Sequence, residues 1–327
     1  MIRRAALAWA MSVFAAALPA AAQAPAAWQA EWPGTDFAQT TVAFDEILSG
    51  GPPKDGIPSI DAPTFAPVSE STLAPAEPVL SLEIAGDARA YPLRILIWHE
   101  IVNDHVGGQP VAITYCPLCN SGVAFLRIVD GEVTSFGTTG KLRNSDLVMY
   151  DRATESWWQQ FTGTAIVGDR LGARLERLPL RLEPISAFAA RAPEGSVLLS
   201  PSASYRDYGR NPYVGYDQST WPFLYRGEYD GPGRPLMRVV SVEGARIAWS
   251  LAYLRAAGQV TEGDLRLTWS AGQASALDTP RIEAGRDIGT VTVERRVEGV
   301  WQLAVYDVPF AFAFLAFTPE GEIRHID

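Results

Sequence analysis

Cys116 and Cys119 are the only cysteines in 327 residues, and they stand in the stretch ITYCPLCNSGVAF, Ile113 to Phe125. Two thiolates at this spacing can reach one soft metal ion, exchange a disulfide, or close as a permanent staple. Two sulfurs make only half of a structural zinc site, so a metal would need further donors from elsewhere. The chain offers three histidines, His99, His105 and His325, and His99 lies just upstream of the cysteines on a segment that reads as helix. Met149 offers a thioether. Cys116 and Cys119 completed by His99 or Met149 would suit copper, with zinc as the other candidate. In an oxidising compartment two neighbouring cysteines commonly bond to each other, so a structural disulfide stands beside the metal reading. Thiol-disulfide exchange, with Cys116 attacking and Cys119 resolving, is a third reading. A thioredoxin-like motif, however, places its second cysteine in a helix, whereas Gly122 and VAFLRIV read as strand.

Two polar concentrations could build a ligand pocket. The first is SFGTTGKLRNSDLVMYDRATESWWQQ, with Arg143, Asn144, Asp146, Asp151 and Trp157. The same residues would also make an ordinary hydrogen-bonded turn flanked by surface ion pairs. The second is SASYRDYGRNPYVGYD, Ser202 to Asp217, with four tyrosines and a turn at Asn211-Pro212-Tyr213. Such aromatic loops serve as lids over ligands or simply pack on a sheet. There is no Gly-x-x-x-x-Gly-Lys loop, Gly-x-Ser-x-Gly elbow or His-Glu-x-x-His helix, which argues against a phosphate-loop NTPase, a serine hydrolase and an ordinary zinc protease.

The elements that must position these residues read as follows. VLSLEIAGDARAYPL is a hairpin turning at Ala85-Gly86-Asp87. PLRILIWHEIVND is a helix with Pro92 in its first turn. PVAITYC is a buried strand, and GVAFLRIVDGEVTSFG two strands about an Asp-Gly turn, so the cysteines occupy a tight strand-to-strand connection. FDEILSGG, Phe44 to Gly51, reads as a short helix ended by glycine.

An internal repeat organises the rest. LSLEIAGDAR and AYPLRIL are matched by RVVSVEGARI and AWSLAYL; VAITYCPLCNSGVAF by LRLTWSAGQASALD; PISAFAARAPEGSVL by VPFAFAFLAFTPEGEI. The order is the same in both copies, and His99, Cys116 and Cys119 face Ala257, Ser270 and Gln273. The expectation is a strand-rich α+β protein of two duplicated modules with short helices. The first, residues 79–237, carries the Cys-x-x-Cys and the aromatic loop; the second, 238–327, is truncated and has lost the chemistry.

Residues 1–24 carry two arginines, an apolar run and Ala22-Gln23-Ala24, the layout of a secretory signal peptide, so a periplasmic or secreted location is expected. Residues 25–78, rich in Pro and Ala, read as an extended segment over the surface. Removing Arg3 and Arg4 with the leader leaves 25 basic against 37 acidic residues, a net of −12. That sign argues against nucleic acid as a partner. A small ligand, a metal or a redox partner protein remains, and no later segment is long and apolar enough to span a membrane. Whether the chain is an enzyme is left open by these residues.

The stretches YPLRILIWHEIVNDHVGGQPVAITYCPLCNSG, GKLRNSDLVMYDRATESWWQQ and YGRNPYVGYD resemble the bacterial family catalogued as domain of unknown function 3179. The resemblance covers nearly the whole chain after the leader and implies an exported or lipid-anchored protein with no established activity. His99, Asn103, Asp104, Cys116, Cys119, Asn120, Arg143, Asn144, Asp146, Met149, Asp151 and Trp157 fall in the matching motifs. Asn103, Asp104 and Asn120 thereby join Arg143, Asn144, Asp146, Asp151, Trp157, Asn211 and Tyr213 as candidates for a ligand pocket.

Overall fold

Pro78–Ile84 pairs antiparallel with Asp87–Pro92, and Ala85 and Gly86 take the left-handed conformations, φ 51° and 83°, that a two-residue turn between twisted strands requires. This is the expected hairpin, seen in a computed structural model that describes residues 23–201 and 206–326. The expected leader falls almost wholly outside them, as do four residues of the aromatic loop. The described residues are strand-rich, with helices of at most seven residues, an α+β architecture of five sheets of four or five strands and one small hairpin.

The helix after the first hairpin is shorter than its sequence suggests. It spans Leu93–His99, and Glu100 then turns to φ 58° and ψ −31°. Ile101–Val106 is a strand instead, as its β-branched residues favour, and it pairs with Gln109–Cys116. Asn103 and Asp104 therefore sit on a strand rather than on the helix. Gln109–Cys116 pairs in turn with Ser121–Leu126, the Cys116–Ser121 pair closing the cysteine loop. A second sheet supplies the facing polar residues: Phe136–Arg143, Asp146–Asp151, Trp157–Gln159 and Thr164–Val167, antiparallel in that order.

Two stretches of chain share one connectivity. Pro78–Ile84 and Asp87–Pro92 are followed by Leu93–His99; later Arg181–Pro184 pairs antiparallel with the first strand, and Ser196–Leu198 pairs parallel with the second. Val239–Val242 and Ile247–Ser250 are followed by Leu251–Ala257; later Tyr306–Asp307 pairs antiparallel with the first, and Glu322–Arg324 parallel with the second. Two of the three matched motif pairs fall on these segments; in the third, Ser121–Leu126 is a strand after the cysteines, whereas the matched residues 271–278 form none.

The N-terminal segment is more than a surface strap. Trp32 is fully buried with Trp157 and Tyr150. Phe44–Gly51 is not one helix: a single 3-10 turn at Phe44–Glu46 gives way to a strand, Ile47–Ser49, that pairs with Lys141–Arg143 at the edge of the second sheet. The edge offers unpaired backbone groups, and Ile47 buries its side chain there. The largest core cluster joins the cysteine sheet to the helix Leu93–His99 and includes both cysteines. Among the described residues no helix is long and apolar enough to cross a membrane.

Candidate metal centre

The loop Pro117–Asn120 is held rigidly from several sides. Asn120 adopts φ 54°, a left-handed conformation that Asn tolerates better than most residues. Its amide donates to Val308 O at 2.7 Å and accepts from the Tyr115 hydroxyl at 3.2 Å. Phe310 N donates to Cys119 O at 2.8 Å, and the Tyr216 hydroxyl to Leu118 O at 2.9 Å. Asp307 accepts from the Ser121 hydroxyl at 2.6 Å and from Gly122 N at 3.0 Å. The segment Asp307–Phe310, more than 180 residues away in sequence, thus clamps the loop.

The facing hairpin brings the third group. Asn144 and Ser145 occupy the turn at φ 52° and 60°, so that Asp146 begins its strand with its side chain turned to the cysteines. The Cys119 thiol donates to Asp146 Oδ1 at 2.9 Å. Gln159 Nε2, at 2.6 Å, and Phe161 N, at 2.9 Å, hold the other carboxylate oxygen. Cys116 Sγ lies 3.7 Å from Ser145 O. One donor atom each from Cys116, Cys119 and Asp146 falls within 4.8 Å of the other two, and all three residues are buried. Both cysteines are free thiols.

Burial raises the protonation equilibria of the whole group. It pushes the Asp146 carboxyl up to about 6 and both thiols above the usual cysteine range, with neighbouring carboxyls adding to the effect on the thiols. Glu100, buried at 7 % exposure, is pushed up to about 8 by burial and then by Asp146. Arg143 reaches this group through Gln159, whose Oε1 accepts from Arg143 Nη1 at 3.5 Å while its Nε2 holds Asp146. Four groups able to carry negative charge thus lie buried close together.

The other candidates have different neighbours. His99 is buried, but Nδ1 lies 2.7 Å from Pro58 O and Nε2 2.6 Å from the Tyr208 hydroxyl, so both nitrogens are engaged away from the sulfurs. Met149 sits three residues along the strand from Asp146, opposite Thr138 and Trp158 in the core, so the pleat sends it to the other face of the sheet. Asn103 bridges Asp61 to the Phe136 backbone. Asp104 accepts from Arg89 and from the Tyr91 hydroxyl. Arg143 reaches outward to Glu46. Asp151 caps its own turn at Thr154 and holds Trp158 Nε1. Trp157 packs among Trp28, Trp32 and Phe37. Asn211 bonds Thr279 O and Tyr213 N. Two tyrosines of the aromatic loop approach the cysteines: Tyr216, through its bond to Leu118 O, and Tyr213, whose hydroxyl is pushed up by burial and then by Glu100 and Cys116. Of these candidates, the structure brings Asp146 to the sulfurs, with Asn120 shaping the loop. Gln159 stands in the polar run read from the sequence but carries no signal of its own there, and Glu100 is hidden in a segment that reads as helix on both sides of it.

The fold and the site together define a strand-rich α+β protein with a buried cluster of two thiols and a carboxylate, suited to a cation. The chain belongs to the family described as Protein of unknown function (DUF3179), whose model matches residues 54–321. No curated protein and no solved structure matches the chain.

Proposed function

We propose that the protein binds one metal ion through Cys116, Cys119 and Asp146. The observation that carries this reading is a converged, buried donor set, two sulfurs and a carboxylate oxygen within 4.8 Å of one another. Desolvated anions without a partner are costly, and a bound metal supplies the missing charge while drawing the protons off the thiols. The clamped loop and the Gln159 hydrogen bond hold two of the donors in place before any ion arrives, the outer support that metal ligands require. A carboxylate in place of the imidazole or thioether expected from sequence moves the preference from copper(I) toward zinc(II), because oxygen is a harder donor.

Thiol-disulfide exchange is less well supported, since the surroundings push both thiols away from the thiolate form that attacks. Export belongs to the same proposal: in an oxidising compartment, metal ligation would protect a thiol pair that otherwise oxidises. The test is metal analysis and thiol titration on protein purified without chelators, beside Cys116→Ser and Asp146→Asn. About one zinc per chain with protected thiols, lost in both variants, is expected. Equal metal content in wild type and Cys116→Ser would overturn the proposal.

A further inference from the structure

Glu100 stands in a backbone conformation that its side chain resists. Its φ of 58° with ψ −31° is a region that L residues other than Gly, Asn and Asp seldom enter. The second stretch of shared connectivity contains the same corner. There the residue after the helix Leu251–Ala257 is Gly258, at φ 72° and ψ −55°. The two corners make the same bonds. Glu100 N donates to Leu96 O at 2.7 Å and Gly258 N to Leu254 O at 2.8 Å; Tyr115 N donates to Glu100 O and Trp269 N to Gly258 O, both at 2.8 Å. The corner that lies beside cysteines keeps a glutamate, and the one that does not has glycine.

Strain of this kind persists where surroundings or function impose it. Glu100 is 7 % exposed, and no hydrogen bond or ion pair reaches its carboxyl among the described residues. The backbone bond from Tyr115 places Glu100 opposite Tyr115, one residue before Cys116 on the cysteine strand. Its carboxyl acts electrostatically on Asp146, Cys116 and Tyr213. It lies outside the 4.8 Å triad, so it must turn inward to touch a shared ion.

Resting on the metal reading above, we infer that Glu100 is the fourth ligand of the site, making it a two-thiolate, two-carboxylate centre for a divalent borderline cation of the zinc(II) type. Four donors match the coordination number of zinc, and two hard oxygens select against copper(I). The strained corner is what places a carboxylate beside the cysteine strand.

Cobalt(II) is the probe, added to metal-free reduced protein, because its sulfur-to-metal charge-transfer band reports the thiolates and its d–d bands report the remaining ligands. Wild type should show both, with the d–d intensity of a four-coordinate ion. Glu100→Gln should keep the charge-transfer band, change the d–d bands and bind cobalt and zinc more weakly by roughly tenfold or more. Glu100→Gly, which suits the corner's backbone, should do the same and guards against a folding defect in the first variant. Spectra and affinities equal to wild type in both variants would overturn the inference and leave the three-donor site standing. No cobalt or zinc binding by wild type would overturn the metal reading itself, and the fourth ligand with it.

Discussion

Replacing Glu100 with glycine should stabilise the metal-free protein while weakening the metal-bound one. A non-glycine residue in a sparsely populated region costs on the order of 1–3 kcal/mol, which glycine relieves. Glycine gives back about 0.5–1 kcal/mol through the greater freedom of its unfolded chain. The net gain is then roughly 0–2.5 kcal/mol. The protein contains its own calibration. A Cβ added at Gly258 meets nothing within 4 Å, so Gly258→Ala reads the backbone term alone. That variant should lose roughly 0–1.5 kcal/mol, the left-handed penalty of an L residue less the stiffening of the unfolded chain that alanine brings. The assay is denaturant unfolding in the presence of a chelator, repeated with zinc. Glu100→Gly should unfold at higher denaturant than wild type in chelator and gain less from zinc, and Gly258→Ala should unfold earlier in both. A chelator-treated Glu100→Gly protein less stable than wild type would refute the reasoning, because the side chain would then be holding the fold rather than the site.

Three further outcomes are expected. Asp217 is buried; burial alone would raise its pKa, but Arg238, Ser275 and Arg286 outweigh it and hold the carboxyl below the usual aspartate range. A lowered folded-state pKa gives stability that is present above the unfolded aspartate value near 4 and lost as pH falls through the folded one. Asp217→Asn should therefore lose about 3–5 kcal/mol at neutral pH, by leaving buried Arg238 unpaired, and should show a shallower acid-unfolding slope below pH 4 than wild type. Gln159→Leu removes the 2.6 Å bond that orients Asp146 and should weaken zinc binding by roughly 10- to 100-fold in a competition titration, with both thiols still protected. His99→Ala should leave zinc affinity unchanged but cost about 1–3 kcal/mol in unfolding, because the bonds of its ring to the Pro58 carbonyl and the Tyr208 hydroxyl are lost; a loss of affinity there would restore the histidine ligand expected from sequence.

Features governed by near neighbours could be read from the chain alone. The Ala85-Gly86 hairpin, the buried cysteine strand and the turn that closes it follow from turn chemistry and strand preference over a few residues. The helix boundary was not legible, because Leu93 to Asp104 is apolar enough to continue as helix, and only pairing of Ile101–Val106 with Gln109–Cys116 draws it into the sheet. The third donor was not legible either. Asp146, Arg143 and Asp151 look alike as acids and bases in a polar run, but the turn at Asn144-Ser145 and the pleat send Asp146 to the sulfurs, Arg143 to Glu46 and Asp151 into its own turn. His99 looked like the nearest ligand by sequence, and its ring nitrogens went to Pro58 and Tyr208. Residue type and spacing determined that two sulfurs would share one rigid loop. Which oxygens and nitrogens face that loop depends on how two sheets pack and exclude water, and that was decided only in three dimensions.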